Sequence, residues 1–107
     1  HAIEAEQGYG NWLHGEAVAA GMVLASKAGQ MQGWMSKEEV QRVIALTEAF
    51  SLPIAPPADM GYQTFMQHMA HDKKVQAGKL NFIVPKAIGD AIVTSELDET
   101  LLRSLLN

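Results

Sequence analysis

The residues best suited to chemistry lie around position 14, where a histidine and a glutamate begin a long apolar segment. His14 and Glu16 are separated only by Gly15, and His1 precedes them across a short polar loop. An imidazole at the start of a helix can face a ligand or a metal ion while the helix behind it anchors it in a core. From spacing alone, a histidine that makes a local hydrogen bond at a helix start is the simpler explanation of His14. His1 and His14 are not an i, i+4 pair, so the helical HExxH zinc pattern is absent.

Other polar residues offer weaker candidates. Glu16 lies in the first turn of a predicted helix, where the helix dipole favours a carboxylate by about 0.3–1 kcal/mol. Alternatively, Glu16 could have a functional role and accept a hydrogen bond from a histidine that binds a metal. His68 and His71 are three residues apart on one predicted helix. Such a pair can bind metal, but the solvated face of an amphipathic helix explains it better.

A basic loop follows the second of these histidines. Lys73 and Lys74 come directly after Asp72, and Gly78 follows within the same loop. These lysines are either part of a solvated loop or a clamp for a phosphate or carboxylate. No GxGxxG or Walker sequence is present, so the chain carries no recognisable nucleotide loop.

Composition narrows the class of protein. The 107 residues are 48% hydrophobic, carry a net charge of −4 and include no cysteine. One domain is expected, without disulfides or thiolate ligands, so His, Asp and Glu are the available metal ligands. The net negative charge gives no general basic surface for binding nucleic acid. No apolar run approaches the roughly 20 residues that span a bilayer. With no secretory signal visible, we expect a cytoplasmic protein without nucleic-acid or membrane partners.

The beginning of the chain is unusual. It starts at His1 and enters a helix-compatible segment without a Ser, Thr, Asp or Asn cap. We interpret the chain as part of a longer protein whose remaining chemistry lies elsewhere.

Hydrophobic periodicity and capping patterns predict four or five helices. Ser36 and Glu39 have the spacing of a capping box, Asp59 is expected to cap the following helix, and Ser95 the last one. The predicted helices cover residues 1–7, 14–30, 36–50, 59–71 and the segment after 95.

One short hairpin is predicted late in the chain. Residues 80–84 have strand character, and Pro85 is expected to end that strand because it has no N–H to donate. Residues 91–94 are the predicted pairing partner. The predicted fold class is therefore mainly α, a helical bundle-like single domain of residues 1–107 with at most one short β-hairpin.

Two blocks of sequence, together with smaller matches, resemble a known family. Residues 1–6 (HAIEAE) and 8–22 (GYGNWLHGEAVAAGM) closely resemble the C-terminal domain of 3-dehydroquinate synthase. Residues 72–75 (DKKV) and 85–89 (PKAIG) match the same family in the same order. The resemblance covers essentially the whole chain, and the first block is its most specific part.

The resemblance implies roles for particular residues. His14 matches a zinc-binding histidine, and His1 matches an active-site histidine near the substrate phosphate, the second histidine of the signature GHTxGHA. Lys74, or alternatively Lys73, matches a lysine that contacts phosphate. The family's other zinc ligands and its NAD-binding domain precede the matched region. His71 falls where relatives need not have histidine.

The implied activity is that of a lyase dependent on NAD and on zinc or cobalt. It converts 3-deoxy-D-arabino-heptulosonate 7-phosphate to 3-dehydroquinate and phosphate, in the shikimate pathway to aromatic amino acids. The full-length enzyme is expected to be a homodimer, and the 107 residues alone are expected to be inactive. The alternatives are another sugar-phosphate cyclase, a metal-dependent polyol dehydrogenase domain, or a non-catalytic helical interaction module.

Overall fold

The computed structural model describes residues 1–8, 11–70, 75–76 and 79–107. These residues form a mainly helical domain, as predicted from the sequence. The elements, in chain order, are α1 (Ala2–Gln7), α2 (His14–Met31), α3 (Lys37–Ala49), α4 (Tyr62–Ala70), β1 (Val75–Gln76), β2 (Lys79–Leu80), β3 (Phe82–Ala87), β4 (Asp90–Thr94) and α5 (Glu99–Leu106).

Helix α2 is the centre of the domain, in contact with α1, α3, α5 and β3. Its small side chains allow these neighbours to approach closely. Gly29 shows how closely, because a Cβ at this position would lie 2.3 Å from the backbone oxygen of Pro85 in β3. The small residues that α2 buries are Ala17, Ala19, Ala20, Ser26, Ala28 and Gly29.

The core joins both ends of the chain. Ile3 of α1, Phe65 of α4 and Leu106 of α5 are buried together with Ala17 and Ala20 of α2. Residues that are far apart in sequence therefore fix α1 against the start of α2.

The beginnings of three helices can be compared with the capping predictions. The capping box of α3 is confirmed, because Ser36 Oγ accepts from the backbone N–H of Glu39 and Glu39 Oε1 accepts from that of Ser36, both at 3.1 Å. The prediction for α5 was wrong. Its cap is Asp98, whose Oδ1 accepts from the N–H of Thr100 at 2.8 Å, and Ser95 lies before the helix.

Helix α4 also begins differently from the prediction. Asp59 does not cap it; Asp59 Oδ1 accepts from Gln7 Nε2 at 3.3 Å. The N–H of Tyr62, the first residue of α4, is accepted by the side chain of Asn107 at 3.0 Å. The last residue of the chain thus satisfies a free donor at a helix start.

The predicted hairpin is present, but its first strand is longer than expected. Strand β3 continues through Pro85, which pairs with Ala91 of β4, and the register shifts between Pro85 and Ala87. A strand of a two-stranded sheet has an open edge, and proline is tolerated at edges and bulges, so Pro85 does not end the strand. In addition, β1 and β2 form a second antiparallel pair of two residues each.

Candidate functional site

His14 lies at the first position of α2, where it is held by a glutamate from α1. Its Nδ1 atom is 2.9 Å from Oε1 of Glu4. The His14 side chain is 69% exposed, whereas that of Glu4 is only 12% exposed. The glutamate is thus fixed in the domain while the imidazole faces outward.

This contact determines which nitrogen of His14 can bind a metal. A carboxylate only accepts hydrogen bonds, so Nδ1 must carry the proton that it donates to Glu4. The neutral ring then keeps the lone pair on Nε2, as in histidines that ligate metals and donate their other N–H to a carboxylate. The donor chemistry of His14 therefore fits a metal ligand.

A complete metal site would need further ligands. Across residues 1–8, 11–70, 75–76 and 79–107, no group of three or more His, Cys, Asp and Glu side chains converges. A metal ion bound at His14 would therefore need further donors from outside these described residues.

Glu16 has a local structural role. Its Oε1 accepts from the backbone N–H of Leu13 at 2.9 Å, which satisfies a free donor at the start of α2. The carboxylate that contacts the His14 ring is Glu4 and not Glu16.

Sequence reasoning missed the role of Glu4. The only available signal was a carboxylate in the predicted first helix, ten positions before His14 and across a predicted loop. No spacing rule relates two residues across such a loop.

Of the two histidines predicted on one helix, His68 and His71, the structure describes His68. Nε2 of His68 lies 2.8 Å from Oε1 of Glu6, and the His68 side chain is 26% exposed. His68 thus joins α4 to α1 and does not lie on a fully solvated face. His71 and the lysine candidates Lys73 and Lys74 lie outside the described residues.

His1 lies at the start of α1 and lines a groove of about 710 Å³ between α2 and the β3–β4 hairpin. The walls are mainly apolar and include Val18 and Met22 of α2 and Ile83 of β3. His14 is not among the lining residues. His1 and Glu4 are separated by about one helical turn, which brings the groove and the His14–Glu4 pair to neighbouring positions along α1.

The hairpin wall of the groove is fixed to α3 by Glu39. Its Oε2 accepts from the backbone N–H of Ile88, in the hairpin turn, at 2.9 Å. Hydrogen bonds from the backbones of Ile88 and Ser36 hold the pKa of Glu39 below its ordinary value. Lys86 of β3 provides a second contact, because its Nζ lies 5.4 Å from the ring centroid of Trp34, which precedes α3.

Comparison with known proteins identifies the family. A family model described as 3-dehydroquinate synthase C-terminal matches residues 1–75. The chain belongs to this family. The resemblance seen in the sequence is therefore confirmed, including the segment that contains His1, Glu4 and His14.

Individual 3-dehydroquinate synthases align along the whole chain. The protein from Pseudoalteromonas atlantica is 94% identical over 107 residues. Those from Shewanella denitrificans and Vibrio atlanticus are 51% and 44% identical over the same length. The chain spans 30% of the length of each of these relatives.

Solved structures share the fold. A 2-epi-5-epi-valiolone synthase from Streptomyces hygroscopicus, with NAD+ and Zn2+ bound, is 25% identical with a TM-score of 0.79 over 91% of this chain and 27% of that one. A 2-deoxy-scyllo-inosose synthase complexed with carbaglucose-6-phosphate, NAD+ and Co2+ is 22% identical with a TM-score of 0.80 over 98% of this chain and 31% of that one. At 22% identity, the second likeness supports the fold alone.

Among the residues that the structure describes, no helix is long and apolar enough to cross a membrane.

Proposed function

We propose that this chain works as the C-terminal part of a 3-dehydroquinate synthase. The whole enzyme converts 3-deoxy-D-arabino-heptulosonate 7-phosphate to 3-dehydroquinate and phosphate, in the cytoplasm, as a step of the shikimate pathway. The observation that carries this proposal is the 94% identity to such an enzyme over all 107 residues. Identity to the solved structures of other cyclases is much lower, at 25% and 22%.

His14 is the proposed metal ligand of this domain, through Nε2. The hydrogen bond from Nδ1 to Glu4 and the outward position of the ring support this role. A zinc or cobalt ion bound there would polarise a substrate oxygen, and NAD would supply the reversible oxidation. Helix α2 is packed on several sides, so it would hold the backbone of His14, and with it an ion bound to the ring, at a fixed place relative to the groove.

His1 and the lysines are proposed to bind the substrate phosphate. His1 is exposed and lines the groove, so an anionic ligand can reach it. Lys74, or alternatively Lys73, matches the family's phosphate-contacting lysine. Cations at these positions would fix the leaving phosphate beside the carbon from which a proton is removed.

The remaining parts of the active site are proposed to come from outside these residues. The longer enzyme would add the NAD-binding domain and the missing metal ligands, and it is expected to form a homodimer. The 107 residues alone are therefore expected to be inactive, and substantial turnover by them would refute this arrangement.

A chimeric enzyme tests the proposal directly. In the chimeric enzyme, this chain replaces the matching 107 residues of the Pseudoalteromonas atlantica protein. With NAD and zinc present, we expect phosphate release and 3-dehydroquinate formation from the heptulosonate phosphate, at a rate comparable with that of the unmodified enzyme.

Different outcomes would favour the alternatives. Turnover of glucose 6-phosphate in place of the heptulosonate phosphate would indicate another sugar-phosphate cyclase. Accumulation of NADH without phosphate release would indicate a polyol dehydrogenase. If the His14→Ala variant retained the full zinc content, the non-catalytic interaction module would be favoured.

A further inference from the structure

We propose that Glu4 is a positioning residue for the metal site, which orients His14 and fixes the tautomer that binds the ion. This inference rests on the proposed function, in which His14 is a metal ligand. Glu4 does not touch the ion or the substrate; it acts only through the imidazole.

The first support is the difference in burial between the two partners. Glu4 is 12% exposed and His14 is 69% exposed. A largely buried carboxylate has few rotamers available, so its Oε1 atom, 2.9 Å from Nδ1, occupies a defined position. The exposed ring has few neighbours of its own, and its orientation therefore depends on this hydrogen bond.

The second support is the way in which α1 is held in place. This helix has only six residues and would be marginal alone. Ile3 is buried in the core beside Glu4. Glu6 binds His68 of α4, and Gln7 binds Asp59. These contacts place the Glu4 carboxylate on a fixed element, as an effective positioning group requires.

The third support is that Glu16, the other carboxylate close to His14 in sequence, is already engaged. Glu16 accepts from the N–H of Leu13 at 2.9 Å. Without Glu4, the His14 ring would sample other rotamers and both tautomers, and only a fraction of these states would present an unprotonated Nε2 to the ion. Loss of such a carboxylate partner typically weakens metal binding by about 10–100-fold.

The experiment compares matched variants of the chimeric enzyme. Zinc affinity is measured by competition with a chelator, without NAD or substrate. Glu4→Ala is expected to weaken zinc binding by about 10–100-fold, and Glu4→Gln by less, because its amide oxygen can still accept from Nδ1. Glu6→Ala is the control, since it removes the other His–Glu pair of the same helix and should leave zinc affinity unchanged.

A second measurement separates positioning from a structural role. The thermal unfolding midpoint of each metal-free variant is measured. Both alanine variants lose one histidine–carboxylate contact of α1, so they should have similar midpoints, and only Glu4→Ala should also lose zinc affinity. Should Glu4→Ala not fold, Glu4→Gln against Glu6→Gln gives the same comparison.

The outcomes distinguish this inference from the proposed function. If His14→Ala abolishes zinc binding while Glu4→Ala binds zinc as tightly as Glu6→Ala, the role of Glu4 is refuted and His14 remains a ligand. If His14→Ala leaves zinc affinity unchanged, the proposed function itself fails.

Discussion

Replacing Gly29 by alanine should loosen the hairpin that forms one wall of the groove. A Cβ at Gly29 would lie 2.3 Å from the backbone oxygen of Pro85, whereas ordinary contacts of this kind begin at 3.4 Å. Strand β3 would have to move away by roughly 1 Å, because a backbone atom cannot rotate aside as a side chain can. Overpacking of this kind costs about 1–3 kcal/mol, and the better helix propensity of alanine offsets about 1 kcal/mol. We expect a net loss of up to about 2 kcal/mol.

Hydrogen exchange of the chimeric enzyme measures this loss locally. A change of about 2 kcal/mol raises the opening equilibrium of the hairpin by roughly 30-fold, which should appear as faster amide exchange in residues 82–94. Gly21→Ala is the matched control on the same helix, because nothing lies within 4 Å of its added Cβ. That variant should be unchanged or more stable by up to about 1 kcal/mol. Equal hairpin exchange in the two variants would refute the steric argument.

Three further outcomes are expected. Glu39→Ala should release the hairpin turn from α3 and speed exchange at Ile88 in the same assay, whereas Glu38→Ala, in the same first turn, should leave it unchanged. The pKa of Glu39 is lower in the folded protein, so its contribution should be complete above the ordinary glutamate pKa of about 4.3. This contribution should be lost as the pH falls through the lower pKa of the folded state. Thermal unfolding of wild type and Glu39→Ala at a series of acidic pH values measures it, and the difference between their unfolding midpoints should disappear at low pH. Asn107→Ala should destabilise the start of α4 at Tyr62 by about 0.5–2 kcal/mol, measured by thermal unfolding, and Asn107→Asp, which keeps an acceptor, should not.

Local signals explain which parts of the fold were predictable. The capping box of Ser36 and Glu39 depends on residues three apart, and it was confirmed. The extent of α2 followed from a long segment of small and apolar residues. The course of β3 was not predictable from Pro85 alone, since whether a proline ends a strand depends on which edge of the strand is open.

The sequence could suggest candidate site residues only where a residue acts by itself. The imidazole of His14 and its place at a predicted helix start are enough to suggest a ligand. Its partner Glu4 approaches through the packing of α1 against α2, a contact between elements that no local pattern encodes. The same holds for Glu39, whose capping role was visible in the sequence and whose bond to the hairpin turn was not.

The central claim is that His14 binds the catalytic metal through Nε2 while Nδ1 donates to Glu4. Crystals of the chimeric enzyme grown with zinc, with anomalous data collected at the zinc edge, would test it most directly. We expect an anomalous peak about 2.0–2.1 Å from Nε2 of His14, with the Glu4 carboxylate still on Nδ1. A zinc peak remote from His14, or one bonded to Nδ1, would contradict the account.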